Sequence, residues 1–479
     1  MRLADLAGGG DAQGSPEVTG FAIDHRKVAP GTVFGAFAGS RFNGEAFIPA
    51  AVAAGAIAVV TRSDVPVEGA LALYADEPRR RFATLAAKFF APFPATTVAV
   101  TGTNGKTSTV ELTRQLWRMA GHAAASIGTL GVTMTSDSGG DDTVRTGLTT
   151  PDIVTFLSNM GGLAREGVTH AAFEASSHGL DQYRTQGLPV RAAAFTNLSR
   201  DHLDYHGDMA AYLTAKLRLF SEVVDDGGAA VVWQDDEAAD RVIDLARARG
   251  LRLFGVGTRG ATLRLVAREA TALGQQLTVA YGGRDHRIAL PLIGGYQAAN
   301  ALVSAGLVIA TGSDAEQTFA HLARVQGVRG RLERACITRA GAPVYIDYAH
   351  TPDALAAALS ALIPHALGRL ILVFGAGGDR DVGKRAEMGV IAEAMADRVI
   401  VTDDNPRSED PATIRAAILA RAPEATEIGD RRDAIAAAIA EARADDIVLI
   451  AGKGHETGQT VGDLVLPFDD VEVARACAG

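Results

Sequence analysis

Near the end of the first hundred residues, Thr97-Val98-Ala99-Val100 runs directly into Thr101-Gly102-Thr103-Asn104-Gly105-Lys106-Thr107-Ser108.

 
A run of β-branched and small apolar residues reads as a buried strand. The glycine-rich turn after it opens a helix over Thr107–Ala120. Backbone N–H groups and the helix dipole at such a junction favour phosphate. Gly102 and Gly105 let the backbone approach a ligand, Lys106 can reach terminal phosphates, and the Thr107 hydroxyl can hold Mg²⁺. The usual spacing of a phosphate-binding loop would put glycine at Val100, so this loop is a variant.

Outward from the loop, strands at Ala171–Glu174, Ala192–Thr196 and Ala229–Val232 alternate with helices such as Asp208–Phe220. That alternation predicts a mostly parallel sheet covered on both faces. Two of these strands end in polar clusters, Glu174-Ala-Ser-Ser-His178 and Thr196-Asn-Leu-Ser-Arg-Asp-His-Leu-Asp-Tyr-His206. Ligands of open α/β sheets bind at such strand ends. Glu174 and His202 are candidate metal ligands, and oxygen-rich coordination with one imidazole suits Mg²⁺ or Mn²⁺ better than Zn²⁺.

Before this unit, Gly31–Ala38 and Ala56–Thr61 read as strands, Phe47–Gly55 as a helix, and Ala91-Pro-Phe-Pro94 as a linker. After it, strands Val344–Asp347, Leu370–Phe374, Arg398–Thr402 and Ile447–Ala451 alternate with helices Pro352–Leu362, Lys384–Ala396, Pro411–Leu419 and Arg432–Ala442. Their ends carry Asp347-Tyr-Ala-His-Thr-Pro-Asp353, Gly375–Arg385, Asp403-Asp-Asn-Pro-Arg407 and Gly452-Lys-Gly-His-Glu456. This mix of acids and bases on one sheet edge predicts a site for a zwitterionic or doubly charged ligand.

The 479 residues suggest about three domains at roughly 150 residues each. With 46 Lys plus Arg against 56 Asp plus Glu, the formal charge is −10, a poor basis for binding nucleic acid. Cys336 and Cys477 are the only cysteines, which excludes a disulfide framework or a cysteine-based zinc site. Met1–Gly10 lacks the apolar core of a signal peptide, and the uncharged run Ile288–Ser313 reads as strand, turn and helix rather than a membrane span. The expected compartment is the cytoplasm. Only six cations are lysines (Lys27, Lys88, Lys106, Lys216, Lys384 and Lys453). In so arginine-rich a chain, a retained lysine is a candidate for chemistry that needs a compact or deprotonable amine, with Lys27 and Lys88 read as chance retentions.

Taken together, Thr101–Ser108, Glu174–His178, Asn197–His206, Gly330–Glu333, Asp347–Asp353, Gly377–Arg385, Asp404–Arg407 and Gly452–Glu456 resemble the Mur ligase family over nearly the whole chain. The resemblance implies an α/β protein of three domains: a small UDP-binding domain (1–95), a central ATPase domain with a mostly parallel sheet (96–328), and a doubly wound, Rossmann-like amino-acid-binding domain (329–479). It implies ATP-dependent addition of meso-diaminopimelate to UDP-N-acetylmuramoyl-L-alanyl-D-glutamate through an acyl phosphate, with Mg²⁺, by a monomer. By position, Gly102, Thr103, Asn104, Gly105, Lys106, Thr107, Ser108, Asn300, Arg331 and Asp347 match ATP contacts. Thr107, Glu174, His202 and Lys216 match the metal site, with Lys216 the lysine that the family carbamylates; Lys106, Glu174, His202 and Lys216 form the implied catalytic set. Asp24, Thr149, Thr150, Ser176, Gln182 and Arg184 match contacts to the UDP-muramoyl dipeptide. Arg380, Asp404, Asn405, Pro406, Arg407, Gly452 and Glu456 match contacts to diaminopimelate, with Asp404 and Glu456 expected free to receive ammonium groups. His25, Leu148, Gln297 and Ala376 depart from the family's usual Ser, Asn, Asn and Cys. Two other readings stay open. A folylpolyglutamate synthetase would share the phosphate loop but gives no reason for Asp404–Arg407. A nucleotide-driven switch or transporter ATPase would need a separate strand ending in a metal-binding Asp and no charged third unit.

Overall fold

A computed structural model describes residues 1–8, 15–39, 43–135, 141–144, 149–271, 273–379 and 381–479. Arg380 and Leu148 lie outside the described residues. The chain divides into two compact units, Met1–Arg264 with Val303–Thr318, and Leu265–Leu302 with Phe319–Gly479.

The first unit holds two sheets. The N-terminal one is parallel, in the order β1 (Gly20–Ala22), β2 (Thr32–Gly35), β3 (Ala56–Thr61) and β4 (Leu71–Tyr74). Side chains alternate across a strand, so Ala58 and Val60 of β3 join one core with Phe82 while Val59 joins another with Phe34 and Ile48. The helix expected over Phe47–Gly55 spans Ile48–Ala53.

The second sheet contains β5 (Thr96–Thr101), β6 (Ala124–Gly128), β7 (Gly131–Thr135), β8 (Asp141–Val144), β9 (His170–Glu174), β10 (Ala192–Phe195), β11 (Ala229–Trp233) and β12 (Arg252–Gly257). Their order is β12-β11-β10-β5-β9-β6-β7-β8, parallel as far as β6 and antiparallel beyond it. β5 therefore sits between β9 and β10, with Val100 opposite Glu174 and Thr101 opposite Phe195. That register brings the phosphate loop and both polar clusters to one edge. The helix expected over Asp208–Phe220 is an α-helix over Met209–Arg218 that widens into a π-helical turn over Leu219–Val223. β13 (Leu263–Thr271) begins beside the end of β12.

In the second unit, β14 (Gly274–Tyr281) and β15 (Arg284–Leu290) form an antiparallel hairpin. The run Ile288–Ser313 resolves into the end of β15, a turn, and the helix Gly295–Ala310. No helix among the described residues is long and apolar enough to cross a membrane. The main sheet contains β16 (Glu333–Ile337), β17 (Pro343–Asp347), β18 (Leu370–Phe374), β19 (Arg398–Val401), β20 (Thr426–Glu427) and β21 (Ile447–Ala451). Its order is β16-β17-β21-β18-β19-β20, with only β16 antiparallel. Cores cover both faces, as expected for strands that read as continuous apolar runs. Asp347 lies opposite Ala451, and Phe374 opposite Val401, so the loops after β17, β18, β19 and β21 emerge on one edge. A separate hairpin, β22 (Gly458–Val461) and β23 (Leu464–Pro467), follows β21.

Candidate active site

The phosphate loop forms as its residues require. Gly102 and Gly105 adopt φ of 149° and 83°, a region costly for any residue with a Cβ. A side chain at Gly102 would also collide with Thr196 Oγ1. Lys106 starts its helix and folds back, donating to the carbonyls of Gly102 (3.0 Å) and Thr103 (2.8 Å). The loop after β10 braces it: Asn104 N donates to Asn197 Oδ1 (2.9 Å), Thr196 Oγ1 to Asn104 O (2.6 Å), and Ser199 N to Thr103 Oγ1 (3.0 Å).

Lys216 reaches the same loop from its own helix. Its side chain is only 1% exposed, donates to Gly102 O at 2.7 Å and lies 4.2 Å from the Tyr212 ring centre. The Tyr212 hydroxyl in turn donates to Thr103 Oγ1 (3.2 Å). Burial, and then the charge of Lys106, push the Lys216 amine well below the ordinary lysine range, with Asp201 opposing them.

Glu174 is 2% exposed at the end of β9. Its carboxylate accepts from Thr107 Oγ1 (2.9 Å) and from Thr129 N (2.7 Å) and Oγ1 (3.3 Å). Thr129 Oγ1 also meets Thr149 Oγ1 at 3.1 Å. Thr150 Oγ1 donates to Glu174 O (2.8 Å) and accepts from Ser176 N (3.1 Å). Arg184 donates to Thr150 O (2.7 Å) and, through Nη2, to Gln182 Oε1 (2.8 Å). The structure thus gathers Thr149, Thr150, Ser176, Gln182 and Arg184 around the Glu174 strand end. His202 has a left-handed backbone, φ 54°, and its ring lies 4.8 Å from that of His178 and 3.5 Å from the Asp201 carboxylate. Asp24 caps the short helix His25–Lys27 and pairs with the Arg26 guanidinium, which lowers its carboxyl to about 2.

No group of three or more His, Cys, Asp or Glu among the described residues could hold a metal ion. Mg²⁺ needs less from the protein, because it commonly takes one or two carboxylates, phosphate oxygens and waters. The Thr107 hydroxyl and Glu174 carboxylate at the helix N-terminus fit that demand.

The second unit assembles two further groups. Asp347 accepts from Leu332 N (2.7 Å) and Ala349 N (2.9 Å). Burial raises its carboxyl to about 6 against the opposing pull of Arg331 and those N–H groups. Arg331 lies over the Tyr348 ring at 4.9 Å. Gln297 joins the group, donating to Arg331 O (2.8 Å) and accepting from Asn300 Nδ2 (3.2 Å). The departure at Gln297 therefore links two of the expected nucleotide contacts.

At the other loops, Asp404 is 7% exposed, and its Oδ2 is buried with no hydrogen-bond partner among the described residues. A Cβ at Gly452 would stand 2.5 Å from that oxygen. Arg407 has φ 52° and donates from Nη1 to Gly378 O (2.7 Å). Glu456 differs from expectation. Its Oε2 is not free but accepts from Asn405 Nδ2 (2.8 Å) and Lys453 Nζ (3.1 Å). Thr129, Tyr212 and Lys453 join these groups without having been singled out for a role. Only Lys453 carried a sequence signal, its retention as lysine.

A variant phosphate loop beside a buried lysine and carboxylate, with a second sheet edge built for charged ligands, is the arrangement of an ATP-dependent acid–amine ligase. The chain belongs to the Mur ligase family. Residues 100–308 match the Mur ligase middle domain, and residues 330–454 match the Mur ligase glutamate ligase domain. UDP-N-acetylmuramoyl-L-alanyl-D-glutamate–2,6-diaminopimelate ligase of Zymomonas mobilis is 59% identical over 96% of this chain and 94% of its own. The protein of the same name from Caulobacter vibrioides is 48% identical over 100% and 99%. A solved structure of a ligase with that name aligns at 32% identity and a TM-score of 0.75, covering 100% of this chain and 98% of the other. Folylpolyglutamate synthase of Mycobacterium tuberculosis, solved with ADP, shares the fold at 21% identity and a TM-score of 0.62, covering 83% and 93%.

Proposed function

We propose that this chain adds meso-2,6-diaminopimelate to UDP-N-acetylmuramoyl-L-alanyl-D-glutamate at the expense of ATP, in peptidoglycan precursor synthesis. The observation that carries the choice of amino acid is the buried Asp404 oxygen, without a hydrogen-bond partner among the described residues, three residues from Arg407. An ammonium satisfies the first and a carboxylate the second. Full-length likeness to ligases of that name supports the same reading.

In this reading a D-glutamate carboxylate oxygen attacks the γ-phosphorus of ATP, the bond to the β-phosphate oxygen breaks, and ADP leaves. The incoming amine then attacks the acyl carbon, loses a proton, and expels inorganic phosphate. Lys106 and the loop N–H groups hold the phosphates, where fixed charge does most of the catalytic work. Thr107 and Glu174, with His202 and a carbamylated Lys216, would hold Mg²⁺, which would supply neutralisation of the developing charge. Asn300, Arg331 and Asp347 take the nucleoside. Asp24, Thr149, Thr150, Ser176, Gln182 and Arg184 take the UDP-linked peptide. Arg380, Asp404–Arg407, Gly452 and Glu456 take the amino acid. The domains proposed are 1–95, 96–328 and 329–479, one for each main sheet. A single chain in the cytoplasm is the proposed working unit.

Phosphate release by the purified chain tests the reaction. It should require ATP, the UDP-muramoyl dipeptide and diaminopimelate together, and release without the dipeptide would refute it. Selectivity supplies a sharper prediction. L-Lysine lacks the far carboxylate, and a guanidinium facing its side-chain ammonium costs on the order of 2–5 kcal/mol. The wild type should therefore prefer meso-diaminopimelate over L-lysine by about a hundredfold in kcat/KM. Arg407→Ala should lose most of that preference while its KM for ATP stays within about twofold. Equal specificity constants for the two amino acids in the wild type would remove the assignment of Arg407.

A further inference from the structure

Lys453 is wholly buried, at 0% exposure. An ammonium has three N–H donors, and Nζ has three acceptors: Asn405 Oδ1 (3.2 Å), Glu456 Oε2 (3.1 Å) and Gly458 O (2.5 Å). Its donors are therefore all engaged by protein, leaving none for a substrate. The three acceptors belong to the turn after β19, the loop after β21, and the first residue of β22.

The same residues tie the β22–β23 hairpin to the Asp404–Arg407 turn. Thr460 N donates to Asn405 Oδ1 (2.8 Å), and Gln459 Nε2 to Asp404 O (2.7 Å). Arg407 N donates to Thr460 O (3.0 Å), and Gly462 N to Arg407 O (2.7 Å). This pair of bonds brackets the residue whose backbone is left-handed. The hairpin itself buries little: Val461, Leu464, Val465 and Leu466 are all exposed. A lone two-stranded hairpin is marginal in water, so its shape depends on these ties.

We infer that Lys453 is a positioning residue for the incoming amino acid, locking the β22–β23 hairpin onto the Asp404–Arg407 turn. It thereby fixes Asn405, Glu456 and Arg407 beside the Asp404 oxygen that has no hydrogen-bond partner among the described residues. This deepens the proposed function and rests on it for the identity of the site. It also accounts for lysine at this position in an arginine-rich chain. The tetrahedral ammonium reaches three acceptors from separate segments, whereas a planar guanidinium presents its donors in one fork.

Steady-state kinetics of the full chain test the inference, with KM measured for all three substrates. The amino acid used is whichever diamino acid the wild type turns over best. A wild type preferring L-lysine would thus refute the proposed substrate and still leave Lys453 to be judged by its own variants. Lys453→Met should raise the KM for the amino acid by about tenfold, and Gln459→Ala, which cuts one outer tie, by about threefold. The KM values for ATP and the UDP-linked peptide should stay within about twofold in both variants. Lys453→Arg should behave like Lys453→Met, since charge without the right geometry does not restore the lock. If Lys453→Met does not fold, Lys453→Arg, which keeps the charge, decides in its place. An unchanged KM for the amino acid, or a parallel rise in all three KM values, would overturn the inference.

Discussion

Lys106→Ala is expected to lower ligase turnover by at least about a hundredfold, leaving the circular dichroism spectrum unchanged. A cation aimed at the transferring phosphoryl group in a water-poor site lowers the barrier by about 3–4 kcal/mol, a factor of roughly 10²–10³. Its contacts to the loop are shared with other residues. Lys106 donates to the carbonyls of Gly102 and Thr103, but Gly102 O keeps Lys216 as a partner. The loop is also braced by Thr196 and Asn197. The alanine variant should therefore fold and bind the UDP-linked peptide normally. Activity above about a hundredth of wild type, with a normal spectrum, would count against the phosphate role.

Lys216 carries the second large effect. Its amine is buried beside Lys106, so the ammonium form is disfavoured and a lone pair is available. Such an amine can attack carbon dioxide, forming an N–C bond and releasing a proton, to leave a carbamate anion near a cation and the proposed metal ligands. Alanine at this position should reduce turnover by about a thousandfold, and formate or acetate should restore part of it by supplying the missing carboxylate. Arginine should be as inactive as alanine, because a guanidinium does not give up its proton at neutral pH. Full activity of Lys216→Arg would reject the carbamate. Mass spectrometry of the intact protein in bicarbonate buffer gives an independent reading, as the mass of one added carbon dioxide that disappears on acidification.

Much of this protein was legible in its residues because strand, turn and helix are local codes. Leu370–Phe374, Ile447–Ala451 and Pro352–Leu362 have the bounds that their apolar runs and flanking residues imply. The phosphate loop announces itself by glycines next to a lysine at the start of a helix. A parallel sheet then delivers every strand-end motif to the same edge, so Glu174 and the Asn197 loop could be placed beside Lys106 from sequence alone. Retained lysines pointed to Lys216 and Lys453, since an arginine-rich chain reveals where a guanidinium will not serve. Which charges are paired was decided only by the tertiary structure. Glu456 looked free, yet Lys453 and Asn405 occupy one of its oxygens. Asp404, by contrast, keeps a buried carboxylate oxygen with no hydrogen-bond partner among the described residues. Thr129 reaches Glu174 from a strand end that carried no charged motif. Pairing of this kind depends on side chains from distant segments meeting within about 3 Å, and neither spacing nor composition encodes that distance.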